Sequence, residues 1–240
     1  MIELRDVHVS VPVWGERGQQ RSKPLLHGIT ASLPEHRVAI VGANGSGKST
    51  LLRLLNGLMT ASAGQVLVDG IDPAVDARAA RRHVGFVFTD PLSQLVMSTP
   101  ADDIELSLRR QIKDRRSRRE RALAVLEERG LGAVADQSIY DLSGGERQLV
   151  SLSTVLAVEP TVVVADEPTT LLDLRNRLQV AQALMSLPQQ LVCATHDLDL
   201  AARADRVLVI DEGRLVYDGE PEAALADYER RMTAPGGAGR

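Results

Sequence analysis

Cysteine is nearly absent from this chain of 240 residues. Cys193 stands alone in the apolar run Leu191-Val192-Cys193-Ala194, so no internal disulfide can form and a reduced, cytoplasmic setting is expected. No uninterrupted apolar stretch approaches the roughly 18 residues of a membrane-crossing helix. The opening Met1-Ile2-Glu3-Leu4-Arg5-Asp6 carries acids where a secretory signal has a basic flank and then an apolar core. A spanning or exported protein is therefore not expected. Nor does either charge dominate: 28 Lys and Arg against 32 Asp and Glu leave a net −4, which gives no global attraction to nucleic acid or to an anionic membrane. Lysine is scarce, with only Lys23, Lys48 and Lys113, a bias that reads as genomic base composition rather than mechanism. No internal repeat is visible. A hydrophobic content of 44% at this length fits one large α/β domain or a domain with a subdomain, and excludes two full catalytic domains.

What is present centres on Gly42-Ala43-Asn44-Gly45-Ser46-Gly47-Lys48-Ser49-Thr50, which has the spacing of a phosphate-binding loop. The β-branched run Arg37-Val38-Ala39-Ile40-Val41 precedes it, and Thr50 to Asn56 repeats leucine at helical spacing. Strand, loop and helix are the required context. The glycines let successive backbone N–H groups turn inward toward phosphate oxygens, and the following helix adds the positive end of its dipole. Lys48 then reaches the β- and γ-phosphates of ATP, and the Ser49 hydroxyl binds Mg2+. A flexible Gly/Ser turn is the competing reading of these residues.

Residues 2 to 11 and 25 to 33 alternate, which predicts an antiparallel β layer before the loop. Trp14 to Lys23 reads as a surface loop between them. Strands are expected over 64–70, 83–88, 161–165, 191–195 and 206–210, with helices over 146–157 and 172–187. From Pro100 to Gly130 the period is helical, with Ile104, Leu108 and Ile112 on one face, then Ala122, Leu123, Val125 and Leu126. The basic run Arg109 to Arg121 is either a solvated helix face or a surface near lipid headgroups or an acidic partner. Thr233 to Arg240 has no apolar anchor and is expected to be disordered. The βαβ rhythm implies a parallel sheet covered on both sides.

Two further motifs narrow the chemistry. Val162-Val163-Val164-Ala165-Asp166-Glu167 is an apolar strand ending in two acids: Asp166 is placed to hold Mg2+ directly or through water, and Glu167 to take a proton from the attacking water. Upstream, Asp141-Leu142-Ser143-Gly144-Gly145-Glu146-Arg147-Gln148 reads as a helix N-cap and as a second anion site, with the Ser143 hydroxyl and the N–H groups of Gly144 and Gly145. This segment resembles the Leu-Ser-Gly-Gly-Gln/Glu signature of ATP-binding-cassette (ABC) proteins. Glu167-Pro168-Thr169-Thr170-Leu171-Leu172-Asp173 resembles the family segment that ends in the D-loop acid, here Asp173, and Thr195-His196-Asp197 follows a strand as the family's switch histidine does. The resemblance covers residues 1 to 228, leaving 229 to 240 as a tail. It implies a P-loop NTPase core with a mostly parallel sheet, an antiparallel β subdomain, and an inserted α-helical subdomain at about 89 to 157. It also implies that His196 bonds the γ-phosphate and orients Glu167 and water, and that two copies sandwich two ATP molecules.

This chain departs from the family in two places. The aromatic residue that usually stacks on adenine is replaced by Val11, and Trp14 is the candidate substitute. The Q-loop glutamine, which usually follows the Phe directly, is replaced by Thr89, leaving Thr89 and Gln94 as candidates for the metal-side role. Phe88-Thr89-Asp90-Pro91-Leu92-Ser93-Gln94, with Thr99-Pro100-Ala101-Asp102-Asp103-Ile104, resembles the energy-coupling-factor ATPases that power uptake of vitamins and of cobalt or nickel. The Thr for Gln replacement points to the biotin-importing type. The partners so implied are a second copy, an integral membrane scaffold and a substrate-binding membrane protein, with no nucleic acid, at the cytoplasmic face of the membrane. A cobalt or nickel importer, a soluble cassette ATPase of nucleic-acid maintenance and a small-molecule P-loop kinase remain as alternatives. The last leaves Leu142 to Glu146 and His196 without explanation.

Overall fold

The computed structural model describes residues 1–14 and 19–233. Its elements run β1 (Ile2–Trp14), β2 (Gln20–Leu33), β3 (Arg37–Val41), α1 (Lys48–Leu55), β4 (Ala63–Val68), α2 (Ala77–His83), β5 (Val84–Val87), α3 (Pro100–Leu108), α4 (Arg115–Glu127) and α5 (Gly144–Leu156). There follow β6 (Val162–Asp166), α6 (Leu174–Met185), β7 (Gln190–Ala194), α7 (Leu198–Ala201), β8 (Arg206–Asp211), β9 (Arg214–Gly219) and α8 (Pro221–Thr233).

The central sheet has the order β5-β6-β7-β3-β8-β9, parallel throughout except for β9, which pairs antiparallel with β8. Strands β3 and β6 are buried at every position because helices cover both faces, which explains their unalternating Val/Ile/Ala sequences. A second sheet, β2-β1-β4, is antiparallel and buries Leu4, Val7 and Val9 of β1 in the core with α1, with a bulge between Leu4 and Val7. The predicted α/β class with an antiparallel layer is thus the observed one. The hairpin is longer than the alternation implied. Trp14 pairs with Gln20 and Val11 with Lys23, so the stretch expected to be a surface loop is strand on both sides of residues 15–18, which lie outside the described residues.

Helices α3, α4 and α5 form a helical layer in which Ile104, Leu108, Ala122, Val125, Leu126, Leu149 and Leu152 pack together, continuous with α6 and with Val163, Ala165, Leu191 and Cys193 of the central sheet. The basic run lies largely on α4, and its arginines meet acids of their own layer. Arg119 pairs with Asp102 at 3.3 Å, Glu105 at 3.1 Å and Asp136, Arg116 with Glu120 at 3.0 Å, and Arg121 with Glu128 at 3.2 Å. A solvated face accounts for these charges, each exposed pair contributing at most about 1 kcal/mol. Asp103, by contrast, is buried. Its Oδ1 accepts from the amides of Val96 (2.7 Å) and Met97 (2.9 Å), and its Oδ2 from the Thr154 hydroxyl (3.3 Å), which ties the 95–97 loop to α3 and α5.

At the C-terminus α8 continues to Thr233, five residues past the boundary expected at 228, because Ala224 is buried and Tyr228 packs partly against β8. The rest of the expected tail, 234–240, lies outside the described residues. Cys193 is buried in β7 between β3 and β6, and burial, with the charges of Glu167, Asp166 and Asp197, pushes its thiol far up from the usual range.

Candidate functional site

The C-terminal ends of β3, β6 and β7 converge, and each delivers one part of the site. After β3, Gly42 lies so close to the β8 end that a Cβ would stand 2.1 Å from the Ile210 carbonyl oxygen. Gly47 has φ 111°, and a Cβ there would meet Leu26 at 2.7 Å. Only glycine permits this loop. Lys48 opens α1 and folds back, its Nζ donating to the carbonyls of Gly42 (2.8 Å) and Ala43 (3.1 Å). Burial pushes the Lys48 pKa down, and the charges of Glu167 and Asp166 oppose the shift.

Strand β6 ends in the two acids. Ser49 donates its hydroxyl to Asp166 Oδ1 at 2.8 Å, which places two hard oxygen ligands side by side. Glu167 adopts φ 51°, a left-handed conformation uncommon for a residue with a Cβ, and its amide bonds the Ala194 carbonyl at the end of β7 (2.9 Å). Its Oε2 accepts from the His196 amide (3.1 Å) and the Thr170 hydroxyl (3.2 Å). Its Oε1 is buried without an aligned donor, although His196 Nε2 stands 3.1 Å away and Lys48 Nζ 3.7 Å. The His196 ring donates through Nε2 to Asn44 Oδ1 of the phosphate loop at 2.7 Å. Lys48, Ser49, Asp166, Glu167 and His196 therefore form one cluster, as the motif order implied. Sequence reading took Asn44 only as loop backbone. Its side-chain role depends on packing across 152 residues of sequence, which no local pattern reports.

The cluster fits a nucleotide and a magnesium ion. Ser46 Oγ and Glu167 Oε1 are buried and unpartnered, and the Lys48 ammonium is held by the loop carbonyls of Gly42 and Ala43 with His196 Nε2 3.4 Å away. Among the described residues no group of three or more His, Cys, Asp or Glu side chains surrounds a cation position. One carboxylate, one hydroxyl and phosphate oxygens make the donor set that Mg2+ takes, since it keeps several waters and demands few protein ligands.

A second constellation lies on the helical side. Ser143 caps α5, accepting from the Glu146 amide (3.2 Å), while Glu146 Oε2 accepts from the Ser143 amide (2.8 Å) and hydroxyl (2.7 Å). Those bonds hold the Glu146 carboxyl below its usual range. Gly144 and Gly145 follow, and a Cβ at Gly145 would strike Asn176 Oδ1 at 2.3 Å. Asp173 caps α6 and holds that same Asn176, so the D-loop and the signature turn pack directly together. Gly144, Thr89 and Thr170 to Leu172 line a cavity of about 180 Å3 to which no phosphate-loop residue contributes. Leu171, which has φ 70°, is 88% exposed at its rim.

The two Q-loop candidates part company. The Thr89 hydroxyl donates to the backbone carbonyl of Asp166 at 2.8 Å, beside the Ser49 cluster. Gln94 turns the other way, its Oε1 accepting from the Phe88 amide (3.3 Å) and its Nε2 donating to the Ser151 carbonyl of α5 (2.9 Å). Both ends of the Gln94 amide are thus engaged at the joint with the helical layer. Gln148 of α5, which sequence reading did not assign, donates to the Phe88 carbonyl at 3.4 Å. Being polar yet buried on an apolar helix, it could have been found by that mismatch. Trp14, the candidate substitute for the missing aromatic, is 74% exposed at the end of β1, whereas Val7 and Val9 are buried in the core beside α1.

Residues 26–170 match the ABC transporter family. A protein of Deinococcus radiodurans described as an ABC transporter ATP-binding protein is 45% identical over 98% of this chain and 100% of its own. The biotin transport ATP-binding protein BioM of Rhizobium etli is 40% identical over 86% of this chain and 92% of its own. Among solved structures, the dimeric post-hydrolysis state of the ATP-binding cassette MJ0796 with ADP and Pi superposes with a TM-score of 0.81 at 28% identity, covering 92% of this chain and 99% of that one. The cbiO1 protein of Clostridium perfringens, part of the transporter complex cbiONQ, gives 0.79 at 27% identity over 96% and 92%. Phosphate loop, paired acids, switch histidine and signature turn stand on one fold with these relatives, and the chain belongs to the ABC transporter family as an ATP-hydrolysing cassette.

Proposed function

We propose that this cassette powers an importer of the energy-coupling-factor type, with biotin as the solute. It works as an ATP-sandwiched pair on separate membrane-spanning subunits at the cytoplasmic face. The observation that carries the importer type is the joint at residues 88–103. Phe88 is held by Gln94 and Gln148, and Asp103 anchors the following loop, so the stretch that resembles those importers forms the hinge between catalytic core and helical layer. Identity of about 40% to a biotin transport cassette supports the solute, and a relative of Syntrophus aciditrophicus called a cobalt import protein, 36% identical, supports cobalt as the second reading.

In the proposed cycle, the phosphate-loop amides and Lys48 bind the ATP phosphates, while Ser49 and Asp166 hold Mg2+. The ion, when bound, neutralises charge on the β- and γ-phosphates. Glu167 takes a proton from the attacking water through its unpartnered Oε1. His196 releases Asn44 to bond the γ-phosphate and steadies Glu167. The cavity beside Gly144 opens toward the partner, whose Ser143 turn completes the opposite site. Thr89 serves the metal side through Asp166, and Gln94 transmits motion to the helical layer.

Coexpression with candidate membrane subunits encoded by neighbouring reading frames, followed by copurification and ATP-dependent uptake of labelled biotin or Co2+, tests this reading. Biotin uptake that Glu167→Gln abolishes is the expected result. Co2+ uptake instead replaces biotin by cobalt, and failure of any membrane protein to copurify overturns the importer assignment.

A further inference from the structure

The Ser143 hydroxyl is already spoken for. It donates to Glu146 Oε2 at 2.7 Å and accepts from the Glu146 amide at 3.2 Å, and the same carboxylate oxygen takes the Ser143 amide at 2.8 Å. A phosphate oxygen can only accept. For Ser143 to serve the nucleotide of a second cassette, its O–H must swing off the carboxylate, leaving a full negative charge beside the incoming phosphate. Glutamine would keep the cap, because its Oε1 still accepts from both Ser143 groups, and its Nε2 would add a donor without the charge. Arg147, which follows, lines the adjoining cavity, and among the described residues it makes no ion pair with Glu146.

We infer that Glu146 is a positioning residue that reserves the Ser143 hydroxyl in the free cassette and weakens closure of two cassettes on ATP, so that its charge helps the closed pair to reopen. This rests on the reading that two copies close on ATP. Nothing in the capping role alone requires a charge, since Gln fills the same position of a capping box.

The test uses the full chain in a Glu167→Gln background, with Mg-ATP and sedimentation equilibrium over a range of protein concentrations. Adding Glu146→Gln is expected to lower the dimer dissociation constant about five- to thirtyfold, from two symmetric sites each losing one partly screened like-charge contact. Raising NaCl should narrow that gap, because it weakens the repulsion in the parent. The melting temperature should fall only slightly, because the cap is retained and only the stabilisation of its carboxylate at the helix N-terminus is lost. A parent that dimerises with no gain from Glu146→Gln, or with a gain that salt does not change, overturns this inference and leaves the dimer intact. A parent and a Glu146→Gln variant that both stay monomeric with ATP overturn both.

Discussion

Replacing Glu167 by Gln isolates the proton-accepting role from the structural one. The glutamine keeps an acceptor for the His196 amide and the Thr170 hydroxyl, now at 3.1 and 3.2 Å, and its backbone suffers the same φ of 51° that glutamate does. With that oxygen engaged, the amide NH2 takes the place of Oε1, 3.7 Å from the Lys48 ammonium, where two donors face each other. The mismatch costs about 1 kcal/mol, too little to unfold a domain of this size. ATP binding is therefore expected to survive, since the loop amides, Lys48 and Ser49 are untouched. Turnover should fall by about 10^2- to 10^4-fold, which corresponds to about 2.7–5.5 kcal/mol of lost transition-state stabilisation. Steady-state phosphate release, with nucleotide binding followed separately by fluorescence, measures both quantities on one preparation. Hydrolysis at the wild-type rate would show that another group accepts the proton. Loss of ATP binding would show that the carboxylate holds the loop together, and either result refutes the assignment.

The Q-loop and the buried aspartate give two more expectations. Thr89→Gln should keep or raise the ATPase activity of the isolated protein, because the longer side chain reaches past the Asp166 carbonyl that Thr89 now bonds, whereas Gln94→Ala should chiefly impair transport in the assembled importer by severing Phe88 from Ser151. If Gln94→Ala instead abolishes Mg2+-dependent hydrolysis by the isolated protein, the two roles are reversed. Asp103→Ala removes the acceptor of two short amide bonds and leaves both amides short of a partner, so chemical denaturation should register a loss of about 3–5 kcal/mol; a loss under 1 kcal/mol would mean that the 95–97 loop finds other partners.

Most of the core and the catalytic cluster could be read from the sequence, because both are written locally. A β-branched run before a glycine loop, or two acids at a strand end, states its conformation and its chemistry within ten residues. Three features could not be read. The β1–β2 hairpin is longer than its alternation suggests, because Gln20 to Pro24 are exposed on both faces and so carry no period-two signal. The grip of Gln148 on Phe88 joins positions 60 residues apart, and the contact between Asn44 and His196 spans 152. Such pairings are settled by strand order, which a single sequence does not encode in any short window.

The lone thiol of Cys193 offers a built-in clock. It sits in the middle of the sheet, closed off by β3 and β6, and burial together with nearby carboxylates holds it in the unreactive protonated form. Local fraying at the hairpin or the helical layer leaves it covered, so an alkylating reagent reaches it only when the central sheet itself comes apart. The rate at which the untouched protein takes up maleimide in mild denaturant thus reads global opening directly, free of background from other thiols. Mg-ATP, by binding the folded cassette alone, should slow that clock in proportion to its affinity.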